Sequence, residues 1–578
     1  MTSPATPKKV VLLAINAKYV HSALAVWLLA DGIKKYACLP HQVEIIEATI
    51  NQTIDEIAGQ VIAYNPDVVG ISTYIWNADK LPALIKHLKE QLPNAIFILG
   101  GPEASHNQDY WLANGADYVV KGEGERKLPV LLDELAKGLL ELTKPPKGKL
   151  NPCRDANNKP ATISANATNN ESLAPHTNAP INVSLAPHAN ASHNEAYINS
   201  LKGKLAYLQT SKGCPNTCAF CLSGDEKLSF LPIEAAKAQL YQLSKSQAKT
   251  IKLVDRTFNC NPTRAYELFE YVIGLETNHC FHFEIAADLL NQQSLDLLRT
   301  APPGRIQFEA GIQSYHEPTL AAISRKANQS KVDENLKSLL KAGNIHIHID
   351  LIAGLPHETL EIFKDSFDRA YKLGAHNLQL GFLKLLHGSA LRNQAANLGI
   401  QYNQAPPYEI IQSPWLSPDD ISQLKQTENA LRQTYNKGRF MSTLEYVLTH
   451  TAETSEMRPY DLFHKLGQHT PNHGLSLEIY AEEIFKCFSR IHKIDTNQLL
   501  THMITDWLSM VRGKNMPAFM RLSDTQRKQI IPKVEKILGR PIGREEVAKL
   551  PSGDWVYVDV QSRDPVTGLY KIFWYPVI

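Results

Sequence analysis

Three cysteines, Cys214, Cys218 and Cys221, lie within eight residues, and no other two of the chain's eight cysteines are this close. Three thiolates on one short loop can hold three irons of a cubane [4Fe–4S] cluster, whereas an electron-transfer cluster takes four cysteines. The iron left open can chelate the amino and carboxylate groups of S-adenosylmethionine and reduce its sulfonium, which releases a 5′-deoxyadenosyl radical. The spacing therefore predicts that these cysteines bind a cluster and start radical chemistry.

Zinc and a disulfide are the alternatives to a cluster. Structural zinc takes four ligands, usually from two Cys-x-x-Cys or Cys/His pairs, but the next cysteine, Cys260, is distant and single. A disulfide needs an oxidising compartment, and the apolar run at 10–15 is too short for the core of a signal peptide. The spacing favours the cluster over both.

The loop reads Cys-Pro-Asn-Thr-Cys-Ala-Phe-Cys over 214–221, with an aromatic residue, Phe220, before its last cysteine. This pattern resembles the radical S-adenosylmethionine (radical SAM) superfamily. Residues 10 to about 140 are similar to the cobalamin-binding domain that precedes the radical domain in one large branch of that superfamily. The C-terminal region resembles a domain of unknown function in one subfamily of the branch, so the resemblance covers nearly the whole chain except an insert at about 146–203.

Length and composition agree with a large enzyme. The 578 residues suffice for about three domains. The formal net charge of +2 gives no reason to expect nucleic acid or anionic lipid as a partner, and no apolar run reaches the roughly eighteen residues of a membrane span. We therefore expect a cytoplasmic protein that binds neither nucleic acid nor membrane.

The predicted organisation has four parts. Residues 1–145 form a Rossmann-like cobalamin-binding domain, 204–401 a partial (βα)6 barrel of the radical SAM type, and 402–578 a mainly helical domain that ends in a β-hairpin at 555–575. Between the first two lies a low-complexity linker or insert, 146–203, which repeats Ser-Leu-Ala-Pro-His at 172–176 and 184–188. It has too few apolar residues to form a core, and its histidines are not expected to bind metal.

Within 1–145, apolar runs alternate with amphipathic helical patterns, which predicts a parallel α/β sheet with strands at 10–15, 42–46, 68–72, 95–99 and 118–120. Ligands of such sheets bind beyond the carboxyl ends of the strands. Paired glycines there allow close approach of a corrin ring or its nucleotide tail, although similar turns end strands in many unrelated α/β domains. The candidate cobalamin-binding residues are Ser72, Thr73, Gly100, Gly101, Gly122 and Glu123.

The segment after the first strand departs from one cobalamin-binding pattern. Domains that supply a histidine to cobalt carry Asp-x-His-x-x-Gly there, whereas residues 16–22 read Asn-Ala-Lys-Tyr-Val-His-Ser. His21 is therefore not expected to ligate cobalt, and cobalamin would bind without a histidine lower ligand. A domain kept only as a scaffold is the alternative.

From residue 206 the chain repeats a strand and a helix, with predicted strands at 206–209, 251–254, 281–285, 305–308, 345–349 and 378–380. Six such units predict a partial barrel with its functional groups at the carboxyl ends of the strands. Buried polar groups need partners, so a polar ligand is expected in the lumen; a strand face wetted by solvent is the alternative. Alternation of apolar and polar residues assigns to the lumen side His282, Glu284, Asp288, Gln307, Glu309, His346, His348 and Gln379.

The resemblance to radical SAM proteins implies cofactor contacts from six positions. The backbone of Phe220 would lie by the adenine of S-adenosylmethionine, and Glu284 and Glu309 would contact its methionine or ribose part. The other implied positions are Asp255 at the end of the second strand, Gln313, and Gly354 in the 350–358 segment whose backbone cradles the adenine.

The predicted function is that of a radical SAM enzyme with a [4Fe–4S] cluster, S-adenosylmethionine and cobalamin, which methylates an unactivated carbon of a small-molecule substrate. A flavodoxin or ferredoxin is the expected kind of electron donor. The alternative within enzymes is a radical rearrangement or another radical reaction without methyl transfer. The alternative outside enzymes is a cobalamin- or cluster-binding sensor, which requires a partner-binding or DNA-binding module that the sequence does not show.

Overall fold

The computed structural model describes residues 6–138, 195–452, 457–470, 475–510, 516–521 and 527–575. The predicted insert lies outside these ranges up to residue 194, and both copies of its repeat fall in that part. Across the described ranges, no helix is both long and apolar enough to pass through a membrane.

The N-terminal domain is a parallel five-stranded sheet with helices on both faces, as predicted. Its elements are β1 (Lys9–Asn16), α1 (Leu24–Tyr36), β2 (Gln42–Thr49), α2 (Ile54–Tyr64), β3 (Val68–Ser72), α3 (Leu81–Gln91), β4 (Ile96–Gly100), α4 (Pro102–His106), α5 (Gln108–Ala113), β5 (Tyr118–Val120) and α6 (Gly124–Ala136). The strand order is β2-β1-β3-β4-β5. The order in which successive strands are added to the sheet therefore reverses between β1 and β3. Ligands of such sheets bind at this point, beyond the carboxyl ends of the strands.

The central domain is a six-stranded parallel sheet in the order β13-β12-β11-β10-β9-β6, which confirms the predicted partial barrel. Its strands are β6 (Leu205–Leu208), β9 (Thr250–Leu253), β10 (Cys280–Ile285), β11 (Ile306–Gln313), β12 (His346–Ala353) and β13 (Asn377–Phe382), with a short pair β7 (Ser211–Lys212) and β8 (Ser229–Phe230) beside them. The helices are α7 (Glu195–Ser200), α8 (Ile233–Leu243), α9 (Pro262–Gly274), α10 (Gln292–Arg299), α11 (Glu317–Ala322), α12 (Gln329–Ala342), α13 (Leu360–Tyr371) and α14 (Ala390–Gln394).

The barrel strands alternate buried apolar residues with partly exposed polar ones. In β11 and β12 every second residue is buried without exception, so the apolar side chains pack against the helices and the polar ones turn to the lumen. Asp288 does not follow the predicted alternation, because β10 ends at Ile285 and a 3-10 turn begins. Its carboxylate instead accepts a hydrogen bond from the backbone N–H of Asn328 at 3.1 Å.

The C-terminal region is mainly helical, and it ends in a three-stranded antiparallel sheet rather than a simple hairpin. The additional strand, β16, is only three residues long, so it carries little alternation that a sequence pattern could reveal. The elements are β14 (Gln401–Tyr402), β15 (Ile410–Gln412), α15 (Pro418–Gln433), α16 (Met441–Ala452), α17 (Pro459–His469), α18 (Leu477–Phe488), α19 (Thr496–Met510), α20 (Arg527–Leu538), β16 (Val547–Lys549), β17 (Trp555–Arg563) and β18 (Tyr570–Tyr575).

Helix α7 lies within the range assigned to the insert and joins the first two domains. Its Tyr197 is 1% exposed, and its hydroxyl accepts a hydrogen bond from the backbone N–H of Tyr207 at 3.1 Å. The same hydroxyl lies 3.3 Å from the Ser22 hydroxyl in the N-terminal domain. The last residues of the predicted insert are thus part of the folded core.

Substitution of Tyr197 tests this contact. Tyr197→Phe keeps the ring but leaves the buried N–H of Tyr207 without its acceptor, so we expect a loss of about 1–3 kcal/mol in the free energy of unfolding. Urea denaturation followed by circular dichroism measures it. Tyr241→Phe on α8, where the ring is 50% exposed, is the matched control and is expected to stay within about 0.5 kcal/mol of the parent. Equal effects of the two substitutions would contradict the assignment.

Candidate active site at the barrel mouth

The cysteine loop follows β6 and lies at the carboxyl ends of the barrel strands. Neighbouring loops hold it from two sides: the Ala219 N–H donates to the Ile323 carbonyl at 2.9 Å, and the Ala219 carbonyl accepts from Leu391 N–H at 2.8 Å. Gly213, just before the first cysteine, has φ of +76°, and a Cβ there would lie 2.4 Å from the Glu226 carbonyl oxygen. A side chain at this position would collide with the backbone of Glu226, so the loop requires glycine here.

Each of the three thiols has a different environment. The Cys214 sulfur lies 3.3 Å from the Thr257 hydroxyl, and the exposed Cys221 sulfur accepts from the Ser223 N–H at 3.4 Å. Cys218 is buried, and Arg325 donates to its sulfur at 3.7 Å. Burial raises the pKa of Cys218, and the Arg325 charge opposes this rise.

The distances between the three sulfur atoms distinguish a cluster site from a site for a single metal ion. A tetrahedral zinc would bring its thiolates to about 3.8 Å from one another, given Zn–S bonds of about 2.3 Å. Within the described ranges, the residues whose ligand atoms all come within 4.8 Å of one another are Glu309, His348 and Asp350, not the three cysteines. A cubane places each thiolate on a different iron and so needs the wider spread. The spacing of the three thiols in this structure therefore agrees with a cluster rather than with a single zinc ion.

Asp255 lies under the cysteine loop. It is 1% exposed, and it accepts hydrogen bonds from the Thr210 N–H at 3.0 Å, the Thr210 hydroxyl at 2.8 Å and the Ser211 hydroxyl at 2.5 Å. Burial raises the pKa of Asp255 against the effect of these donors. The structure thus places this predicted cofactor contact where it holds the start of the cysteine loop.

The lumen beneath the loop carries a charged cluster on neighbouring strands. The Glu309 Oε2 atom lies 3.1 Å from the Lys252 ammonium and 3.0 Å from the His282 Nε2 atom. Burial opposes ionisation of Glu309, but the His282 hydrogen bond and the Lys252 charge lower its pKa to about 2. Glu284 lies 3.7 Å from the same ammonium, and its burial raises its pKa. Glu284 and Glu309 therefore share one cation in one cavity.

Gln313 and Gly354 lie at the upper ends of β11 and β12. Gln313 has φ of +70°, and its buried Oε1 atom finds no hydrogen-bond partner within the described part of the chain. Gly354 has φ of +94°, and a Cβ there would meet the Ile410 side chain at 2.9 Å. Phe220 packs partly buried against the barrel core. These predicted positions thus lie around the mouth, with one unsatisfied acceptor among them.

The predicted cobalamin-binding residues gather at the carboxyl edge of the N-terminal sheet. The Thr73 hydroxyl donates to the Gly100 carbonyl at 2.9 Å. A Cβ on Gly101 would lie 2.6 Å from the backbone carbonyl oxygen of Thr73. Ser72 and Gly100 are register partners at the ends of β3 and β4. Gly122 and Glu123 follow β5, and Glu123 lies 3.9 Å from Lys212 of the barrel. Ser72 and Thr73 are buried in this packing, so the accessible part of this edge is made by the glycines and Glu123.

Several residues near this edge of the N-terminal sheet were not predicted. Tyr74 and Trp76 stack with ring centroids 4.3 Å apart beyond the end of β3, and burial raises the pKa of Tyr74 against the charge of Arg256 from the barrel. The His21 Nδ1 atom lies 2.5 Å from the Tyr207 hydroxyl. The sequence signal for Tyr74 and Trp76 was two aromatic residues, two positions apart, soon after a strand. No sequence pattern indicated Arg256 or Tyr207.

Three family models match consecutive parts of the chain. The B12 binding domain model matches residues 10–132, the radical SAM superfamily model 208–370, and the model named protein of unknown function (DUF4080) 396–547. The chain therefore contains an N-terminal B12-binding domain followed by a radical SAM domain. Its C-terminal region is of the DUF4080 type. These matches confirm the predicted set of [4Fe–4S] cluster, S-adenosylmethionine and cobalamin at the level of the domains that bind them.

Two curated relatives match the chain at low identity. The 2-(S-pantetheinyl)-carbapenam-3-carboxylate methyltransferase of Streptantibioticus cattleyicolor is 23% identical over 62% of this chain and 52% of its own length. The cobalamin-dependent radical SAM methyltransferase TokK of Streptomyces tokunonensis is 24% identical over 56% of this chain and 47% of its own. The chain thus spans about half the length of these relatives.

Solved structures share the fold. The cobalamin-dependent S-adenosylmethionine radical enzyme OxsB with aqua-cobalamin aligns at a TM-score of 0.56 and 14% identity, over 87% of this chain and 79% of its own. The radical S-adenosylmethionine methyltransferase TsrM of Kitasatospora setae, with cobalamin and a [4Fe–4S] cluster, aligns at 0.51 and 15%, over 72% and 83%. At such identities the likeness establishes the architecture alone.

Removal of one thiol tests the cluster site. Cys218→Ala leaves two thiolates for three irons, so the reconstituted variant is expected to lose the brown absorbance at about 400 nm that thiolate-ligated clusters show. Iron and sulfide analysis quantifies the loss. Cys38→Ala, an exposed cysteine on the N-terminal domain, is the control and should keep the parent's iron content. Full iron retention in Cys218→Ala would refute the assignment.

Glu358, in the loop after β12, generates a pH prediction. Burial raises its pKa to about 7, against hydrogen bonds from Ser314 and Ser366. Because the folded pKa lies above the unfolded value of 4.5, the group's contribution to stability is complete below pH 4.5 and is lost as pH rises through 7.

Between pH 5 and pH 8 the parent is therefore expected to lose on the order of 2 kcal/mol relative to Glu358→Gln, which does not titrate. Urea denaturation at the two pH values measures this difference. Glu317→Gln, at an exposed position on α11, is the control and should follow the parent. Parallel pH dependence of the parent and Glu358→Gln would rule out a buried titrating group.

Proposed function

We propose that this chain is a cobalamin-dependent radical SAM methyltransferase that acts on an unactivated carbon of a small polar molecule. The observation that carries the proposal is the position of the cysteine loop. It lies between a polar barrel lumen and the carboxyl edge of the N-terminal sheet, with Lys212 of β7 linked at 2.5 Å to Glu125 in the first turn of α6. A radical generator and a methyl carrier would thus share one cleft.

The residues divide into two binding groups. Cys214, Cys218 and Cys221 would hold the cluster, which supplies the electron for radical formation when S-adenosylmethionine is bound. On the barrel side, the proposed contacts to S-adenosylmethionine are Phe220, Glu284, Glu309, Gln313 and Gly354. On the sheet side, the proposed surface for cobalamin is made by Ser72, Thr73, Gly100, Gly101, Gly122 and Glu123.

The chain's own groups position and polarise rather than donate protons. Glu309 is held ionised by Lys252 and His282, so it can accept hydrogen bonds from hydroxyl or amino groups of a bound molecule. Gln313 offers its unsatisfied Oε1 atom at the mouth. Asp255 holds the cysteine loop through Thr210 and Ser211. The role of Asp255 in this proposal is therefore positioning.

The proposal also concerns partners and location. Radical formation consumes an electron, so a small reductant such as a flavodoxin or ferredoxin would deliver it to the exposed side of the loop, where Cys221 lies. The described cysteines are all free thiols, which agrees with a reducing compartment such as the cytoplasm.

Product analysis tests the reaction. Anaerobically reconstituted protein receives reductant, S-adenosylmethionine and cobalamin, and the products are separated by chromatography. We expect methylcobalamin together with S-adenosylhomocysteine. If 5′-deoxyadenosine forms without methylcobalamin, methyl transfer is wrong and a radical rearrangement or other radical reaction replaces it. Absence of every cleavage product, with the cluster intact, would favour a sensor. Cys218→Ala serves as the inactive control.

A further inference from the structure

A second group of ligand-type side chains lies in the lumen, separate from the cysteine loop. Glu309, His348 and Asp350 each offer one oxygen or nitrogen atom, and these atoms all lie within 4.8 Å of one another. Atoms that share one metal ion lie roughly 3 Å apart. The His348 Nε2 and Asp350 Oδ1 atoms are already 2.9 Å apart.

Strand register explains why the three side chains meet. Glu309 of β11 is the register partner of His348 on β12, so the two side chains emerge side by side on the lumen face. Asp350 follows His348 by two residues and therefore points to the same face. The register partner of Asp350 is Gly311, and the side-chain amide of Gln313 occupies the space over that glycine.

The hydrogen bonding of this group is incomplete. The Nε2 atom of His348 and the Oδ1 atom of Asp350 lie 2.9 Å apart as an ion pair, but their alignment is not that of a hydrogen bond, and neither has another hydrogen-bond partner among the described residues. Gln313, on the same strand as Glu309, adds a buried oxygen, Oε1, without a hydrogen-bond partner among the described residues. Buried polar atoms in native proteins are generally satisfied, so this oxygen and the poorly aligned pair leave electron pairs available to an occupant.

Charge and supporting contacts agree with a cation. At this level of the lumen, Lys252 lies 3.7 Å from Glu284 and 3.1 Å from Glu309, whereas Asp350 pairs with His348. Three carboxylates concentrate negative charge here, and a bound cation would add to the compensation that Lys252 and Arg256 provide. His282 contacts the Glu309 carboxylate at 3.0 Å, as outer groups do when they orient metal ligands.

We propose that Glu309, His348 and Asp350 form a binding site for one divalent metal ion of the Mn²⁺, Fe²⁺ or Zn²⁺ type. Two carboxylates and one imidazole are a donor set that these ions accept. Three protein ligands leave coordination positions open toward the lumen. Oxygen atoms of the substrate would complete the coordination, and this last statement alone rests on the function proposed above.

Binding of Mn²⁺ tests the site without turnover. Free Mn²⁺ is measured by room-temperature electron paramagnetic resonance in a titration of the reconstituted, oxidised protein, without S-adenosylmethionine or reductant. We expect one saturable site per chain. Asp350→Asn and His348→Gln preserve size and are expected to weaken it at least tenfold. The control, His346→Gln, changes the same face of the same strand two residues earlier and should bind as the parent does.

Each outcome is decisive. Other histidines of the chain can bind Mn²⁺ weakly, but that background is the same in the parent and the variants. Absence of a saturable site, an unchanged site in both Asp350→Asn and His348→Gln, or equal loss in His346→Gln would overturn the proposal. Iron content and circular dichroism report on folding. Should Asp350→Asn fail to fold, Mn²⁺ binding is measured instead on Glu309→Gln, on the neighbouring strand. Cluster assembly and S-adenosylmethionine cleavage are measured separately, so failure of this site leaves the proposed function standing.

Discussion

The period-two alternation of the barrel strands is the constraint on which the site depends. One face of each strand is sealed against helices by side chains such as Phe281, Phe308 and Ile347, all 0% exposed. The other face turns to a shared lumen, so the intervening polar residues must meet there. Neighbouring strands are parallel and in register, and a slip of one residue would drive charges into the apolar core. Packing of the apolar side chains therefore fixes the register, and the register determines which polar side chains meet in the lumen.

Concentrating charge in a lumen costs free energy, and the barrel offsets only part of that cost. Lys252 and His282 converge on Glu309 and keep that carboxylate ionised. His348 and Asp350 form an ion pair at 2.9 Å whose alignment is not that of a hydrogen bond, and imperfectly paired buried groups are costly. Stability is therefore not the only demand on this part of the barrel, which is common where function and packing compete.

The cleft proposed for the cofactors depends on contacts between domains. Tyr197 on α7 links Ser22 of the sheet domain to Tyr207 of the barrel, and Tyr408 of the C-terminal region donates to Glu103 of the sheet domain at 2.5 Å. The charge of Arg256 from the barrel acts on Tyr74 of the sheet domain. Neither domain alone presents both the cysteine loop and the small-residue edge of the sheet, so substitutions at the contacts between domains should alter the cleft without touching a cofactor ligand.

The sequence by itself determined the features that are written locally: the cysteine spacing, the strands of both sheets, and the face on which Glu309 and His348 lie. These follow from short periodicities, which need no knowledge of neighbours. Only the tertiary structure decided that Asp255 turns to Thr210 and that Arg325 reaches Cys218, 107 residues away. It also decided that Asp350 joins Glu309 and His348. Such contacts depend on strand order, register and loop docking, which no local pattern encodes.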